Sequence, residues 1–122
     1  MFLNIASSST GKWSIWKKHK IYLLVHKSGR QKEIAAMRLC AFCTENIFVT
    51  ANKYNLCMYL INDTDLTLMT ISEKRILADL DNPPIGILFK DSVIYILHYG
   101  YMQIYKIING RLQSAGVETS RI

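Results

Sequence analysis

The segment SSSTGK, residues 7–12, carries the residue types that cradle phosphate: small hydroxylated side chains, then Gly11-Lys12. A phosphate-binding loop places a first glycine, four further residues, then Gly-Lys and a Ser or Thr whose hydroxyl holds magnesium. Here Ala6 stands five before Gly11, and Trp13 follows Lys12. The loop chemistry is therefore incomplete, and the stretch reads as a polar hairpin turn running into a Trp-ended strand.

Cys40-x-x-Cys43 invites a redox or zinc reading. A structural zinc needs four ligands. Cys57 brings the count to three, and no fourth has ligand spacing. On a strand, positions i and i+3 face opposite sides, so the two sulfurs are expected to diverge. His19, His26 and His98 form no recognisable nucleophile arrangement with a Ser or Cys and an acid. His98 is expected in a turn, as a polar turn residue. Asp63, Asp65, Asp79 and Asp81 fall beside turn residues, where Asp bends and caps the chain. No catalytic residue, metal site or cofactor is expected.

Charge is the remaining lead. The chain has 122 residues, fifteen Lys/Arg against nine acids, and half its residues are hydrophobic. That composition is globular. Residues 1–38 hold eight of the fifteen Lys/Arg and a single acid, Glu33. Lys12, Lys17, Lys18, Lys20 and Lys27 are the candidate RNA-binding set, lining one rim and following a phosphate backbone without reading sequence. Three cysteines make no disulfide framework, which points to a reducing, intracellular setting. No run is long and apolar enough for a spanning helix, and no membrane partner is expected. Trp13, Trp16, Tyr59, Tyr95 and Tyr105 have strand spacing and read as core before they read as base-stacking platforms.

The elements that must hold these residues repeat. KWSIWK, NLCMYL and YMQIYK share an apolar residue, a gap, an apolar residue and an aromatic, with the aromatic at Trp16, Tyr59 and Tyr105. Eleven residues before each lies Ile5, Phe48 or Ile94, in a second short strand, with a polar or glycine-bearing turn between. A period of roughly 40–45 residues carrying about four strands marks a WD-type β-propeller blade. The expected fold is all-β: an incomplete WD-type β-propeller of about two and a half four-stranded antiparallel blades. Residues 1–30 would be a partial blade lacking its first strand, with Trp16 near the end of the third. Residues 31–75 would be a complete blade, and 76–122 a final blade with a weak tail. KSGRQKE reads as an inter-blade loop, and Asn82-Pro83-Pro84 as a connection between blades. RQKEIAAMRLCAFCTEN also fits an amphipathic helix, with Ile34, Met37, Cys40 and Ala41 on one stripe. The repeat register opposes it. Two and a half blades do not close a ring, so the chain reads as the C-terminal part of a longer protein, or as the product of a truncated gene.

With the blades in register, EIAAMRLCAFCTENIFVTA resembles a late-blade segment of the WD-repeat, non-catalytic subunit of the eukaryotic tRNA (guanine-N7) methyltransferase. Ala35, Ala36, Arg38, Phe42, Cys43, Glu45 and Asn46 carry the likeness. FLNIASSSTGKWSIW looks like the Ser-rich hairpin and Trp-ended strand of the preceding blade, and IYKIINGRLQSA is similar in spacing to the final one. The resemblance implies a nuclear accessory subunit, not itself the catalyst. Its expected partners are tRNA and, as a heterodimer, a catalytic methyltransferase subunit that uses S-adenosylmethionine. That family's partner contacts lie mainly on earlier blades, so no contact residue is carried over. A WD-type adaptor that binds only proteins is the alternative.

Overall fold

In the computed structural model the chain is all-β, and the structure describes residues 1–52, 54–76 and 82–119. Among the described residues, twelve strands form three four-stranded antiparallel sheets, each ordered as the chain runs. The first sheet is β1 (Leu3–Ser7), β2 (Trp13–Lys18), β3 (Ile21–His26) and β4 (Gln31–Ile34). The second is β5 (Leu39–Phe42), β6 (Ile47–Ala51), β7 (Asn55–Ile61) and β8 (Leu68–Arg75). The third is β9 (Gly86–Lys90), β10 (Val93–Leu97), β11 (Tyr101–Ile108) and β12 (Arg111–Thr119). Strand β1 lies against β5, and β5 against β9, so the sheets stack face to face with their first strands along one inner line.

Strict alternation drives this stacking. In β2, Trp13 and Ile15 are fully buried, while Ser14 and Trp16, which alternate with them, point to the opposite face and remain half-buried. The middle sheet is apolar on both faces because it is covered on both. Phe48 and Cys40 pack with Trp13, Ile15, Tyr22 and Leu24 of the first sheet. Val49, Ala51, Leu56 and Met58 pack with Ile94, Ile96, Tyr105 and Leu112 of the third. Each fully buried side chain of this size is worth about 1.5–3 kcal/mol, and the two interlayer cores hold the stack together.

Three expectations are corrected here. The first sheet has four strands, not three, because Gln31–Ile34, expected in a loop, pairs with β3 from Tyr22↔Ile34 to Val25↔Gln31. Gly29 makes the reversal possible: its φ of 97° suits glycine, and its N–H donates to the His26 carbonyl at 2.8 Å. The strand reads as a loop because it is an outer edge exposed along most of its length, with no apolar alternation to reveal it. Its boundary with the second sheet therefore falls between Ile34 and Leu39, beyond residue 30. Trp16 consequently lies on a second strand, whereas Tyr59 and Tyr105 lie on third strands, so these aromatics are not equivalent. The segment that also suited a helix is β4, a short link and β5.

Candidate interaction surface

The phosphate-loop look-alike is the β1–β2 turn, and it binds carboxylate within the molecule. Gly11, at φ 78°, closes it by donating to the Ser8 carbonyl at 3.0 Å. The Ser9 hydroxyl donates to Glu45 Oε1 at 2.8 Å, the Thr10 hydroxyl to Oε2 at 2.6 Å, and the Thr10 N–H to Oε1 at 3.0 Å. These bonds to the charged form hold the Glu45 carboxyl at about 2, well below its ordinary range. Trp13 Nε1 donates to Asn46 Oδ1 at 2.8 Å. Lys12 Nζ meets Asp63 Oδ2 at 2.7 Å, and Arg30 donates to the Asp63 carbonyl at 2.8 Å. The small hydroxyls and the lysine thus clasp the first sheet to the second.

Asp63 therefore serves as an anchor between sheets, and the Lys12 ammonium holds its carboxyl below the usual range. Asp65 turns back on its own loop, where its Oδ1 accepts from the Thr67 hydroxyl at 2.6 Å. Asp79 and Asp81 lie outside the described residues. His26 stacks edge-on to Trp13 at 4.8 Å between ring centres, and burial is the main cause that lowers its pKa. His19 is exposed in the β2–β3 turn.

The candidate lysines do not share a rim. Strands β2 and β3 pair from Trp13↔His26 at one end to Lys18↔Ile21 at the other. Lys12 and Lys27 therefore sit at the clasp edge, where the Lys27 N–H donates to the Lys12 carbonyl at 2.9 Å. Lys17, Lys18 and Lys20 sit at the opposite edge, about 20 Å away at strand rise. Lys17 Nζ lies 5.4 Å over the Tyr22 ring and Lys18 Nζ 5.6 Å over Phe2. Among the described residues the ion pairs all converge on Asp63, so these three ammoniums have no carboxylate partner.

Cys40 and Cys43 point to opposite faces of the second sheet, Cys40 toward the first sheet and Cys43 toward the third. Burial pushes both thiols up to about 12, which removes them as nucleophiles near neutral pH. Cys57 is raised too, chiefly by burial. Among the described residues no group of three His, Cys, Asp or Glu is placed to hold a metal.

His98 is not a surface turn residue. It is fully buried, with Nδ1 2.9 Å from the Asn82 carbonyl and Nε2 3.1 Å from Gln103 Nε2. Tyr105 donates to Gln103 Oε1 at 2.9 Å, which turns the Gln103 amide nitrogen toward the imidazole. Nδ1 then carries the proton and donates to the carbonyl. Alternation held the signal: Ile94, Ile96 and His98 share one side of β10 and its extension.

The two outermost faces of the stack are open. On the first sheet, Phe2, Trp16, Leu23 and Val25 line a shallow groove of about 440 Å³. On the third sheet, Leu88 is 51% exposed, and Tyr95, Met102 and Ile104 are half-buried beside it. Trp13 and Tyr105 are core, as their spacing implied, whereas Trp16 and Tyr95 belong to these faces.

No protein-family profile matches the sequence, and no curated protein does. Solved structures do. The chain is similar to the WD40 domain of coronin from Toxoplasma gondii, with a TM-score of 0.70 at 14% identity over 96% of this chain and 34% of that one. It is also similar to Hsv2 of Kluyveromyces lactis, with a TM-score of 0.66 at 8% identity over 93% of this chain and 45% of that one. The fold is that of part of a WD40 propeller, and the chain spans less than half the length of either.

Proposed function

We propose that this three-blade stack is a non-catalytic interaction scaffold that supports N7-methylation of tRNA guanine, contacting tRNA and a catalytic methyltransferase subunit in the nucleus. The observation that carries the RNA contact is the trio Lys17, Lys18 and Lys20, gathered at one edge with Lys17 and Lys20 exposed and Lys18 half-buried, without a carboxylate partner among the described residues. Such ammoniums neutralise phosphates and release counterions, giving affinity without base readout. The resemblance carried by Ala35 to Asn46 supports the family assignment, and the propeller fold is consistent with it. S-adenosylmethionine would belong to the partner.

The test is binding of bulk tRNA by the 122-residue chain across a salt series. Replacing Lys17, Lys18 and Lys20 with Glu should weaken binding at least tenfold at moderate salt and flatten the log–log salt slope by about 2–3. An unchanged slope rejects the trio as the RNA contact. A chain that shows no tRNA binding at all supports the second reading, a protein-only adaptor, which the apolar open faces favour.

A further inference from the structure

The joint between the first two sheets and the joint between the last two follow one plan, and one side chain sets them apart. The Ser8 N–H donates to the Trp13 carbonyl at 2.9 Å, and the Cys43 N–H to the Ile47 carbonyl at 2.8 Å, each closing the first hairpin of its sheet. Trp13 and Ile47 therefore hold the same position, at the head of the second strand and facing the next sheet. The ladders extend the match, since Ile15↔Leu24 in the first sheet corresponds to Val49↔Met58 in the second. The sheets that face them also correspond. Phe48 pairs with Tyr59 and Ile94 with Tyr105, and both tyrosines sit at a bulge against the fourth strand. On that register Phe42 and Ile61 of the second sheet match Phe89 and Ile107 of the third.

At the first joint an indole fills this position. Trp13 is fully buried and packed with Leu24, Phe42 and Ile61, and its Nε1 donates to Asn46 Oδ1 at 2.8 Å. At the second joint the smaller Ile47 leaves a cavity of about 380 Å³, a size usual for a ligand pocket. Its apolar walls are Met58, Phe89 and Ile107, the counterparts of Leu24, Phe42 and Ile61, with Ile47 in the place of Trp13. Its rim carries Ser92, which stands where Asn46 does, immediately before the second strand of its sheet. The Ser92 hydroxyl has no hydrogen-bond partner among the described residues, whereas Asn46 accepts from Trp13. The cavity thus repeats both the walls and the acceptor of the Trp13 seat.

We propose that this cavity receives a tryptophan side chain of a partner protein, its ring against Met58, Phe89 and Ile107 and its N–H donated to Ser92 Oγ. The chain supplies the template for that occupant in its own first joint. Apolar ring faces match the walls, and a single donor matches the rim. Phenylalanine would bring the ring without the donor, and lysine the donor without the ring. A buried tryptophan is also the kind of anchor on which protein interfaces concentrate their affinity. The site uses none of the edge lysines, so the RNA contact and this pocket stand or fall separately.

The experiment titrates the full 122-residue chain, carrying isotope-labelled methionine methyl groups, with N-acetyltryptophanamide and follows the Met58 methyl resonance by NMR. The expected result is a saturable shift with a Kd of about 1 mM or tighter. The same probe methylated on the indole nitrogen has lost its donor, and should bind about three- to tenfold more weakly. Ile47→Trp, which seats the chain's own indole in the cavity, should abolish the shift while keeping the thermal midpoint at or above that of the wild type. Ser92→Gly removes the acceptor at a φ of 64° that suits glycine, and should erase the preference for the unmethylated probe. Should Ile47→Trp unfold, Ser92→Gly with the two probes decides the matter. No saturable shift, equal affinity for the two probes on the wild type, or an undiminished shift in folded Ile47→Trp overturns the proposal. Binding of free indole without binding of N-acetyltryptophanamide overturns it as well, because the cavity would then take a small molecule and not a side chain on a peptide.

Discussion

Lys12 and Asp63, 51 residues apart in the chain, meet at 2.7 Å and join the first blade's hairpin to the turn that follows the second blade's third strand. With Glu45 and Asn46 they convert a stretch resembling a nucleotide loop into a polar clasp between sheets. The pair is partly exposed, with side chains 26% and 47% accessible. Its worth is accordingly modest.

A double-mutant cycle should show this. Lys12→Ala and Asp63→Ala should show only a small coupling in denaturant unfolding, shrinking as salt is added. Lys12→Ala should leave the salt slope of tRNA binding unaltered, since its ammonium is already paired. A loss of RNA contacts on replacing Lys12 would contradict the division of lysines between two edges.

Glu45 sets an acid limit. Its carboxyl falls from 4.5 to about 2 on folding, so the folded state favours the ionised form. That stabilisation is complete above about pH 4.5 and is lost as pH falls toward 2. Thermal melts of the wild type should drop through this window, and Glu45→Gln should flatten the drop while lowering the plateau above pH 5. Asp63 and Asp65, also lowered, supply the remaining slope. Parallel curves for both proteins would exclude the clasp as its source.

The two tryptophans should behave differently. Trp13 is fully buried and hydrogen-bonded to Asn46, and Trp13→Ala should cost about 3–5 kcal/mol. Trp16→Ala, at a half-buried position, should cost far less. Equal losses in chemical denaturation would mean that Trp16 is as central as its repeat spacing suggested.

His98 is a buried polar link within the third blade. His98→Leu strands the Asn82 carbonyl without its donor, and should cost about 1–3 kcal/mol. Tyr105→Phe removes only the donor to Gln103 and should cost less. Urea unfolding of both variants provides the comparison.

Thiol chemistry offers a cheap check. With Cys40 and Cys43 on opposite faces and both raised to about 12, native protein at pH 8 should label slowly at these positions. Unfolding should expose all three thiols. Rapid native labelling of Cys40, the buried one of the pair, would contradict its position between the first two sheets.

Much of the fold was legible because alternation is a local property. NLCMYLI, VIYIL and YMQIYKII announce strands by their own composition, and Cys40 and Cys43 diverge for the same reason. What misled was a strand without that signature. Gln31–Ile34 is mostly polar and lies at an outer edge, so the sequence pattern puts the first module one strand out of step and aligns Trp16 with Tyr59. Proximity in sequence suggests one rim for the lysines because it hides the length of the strand that separates Lys12 from Lys18. The neighbours Tyr99 and Gly100 signal a turn and so suggest a surface position for His98, which the structure buries.

The amino-acid order by itself determined that this chain forms short antiparallel strands in repeated modules, because alternation and turn residues act within a few positions. Only the tertiary structure decided which faces are covered and which charges are spent. Trp13 finds Asn46, Lys12 finds Asp63, and Ser9 finds Glu45 across the joint between two sheets. Those pairings depend on how whole sheets stack, and no local pattern records that geometry.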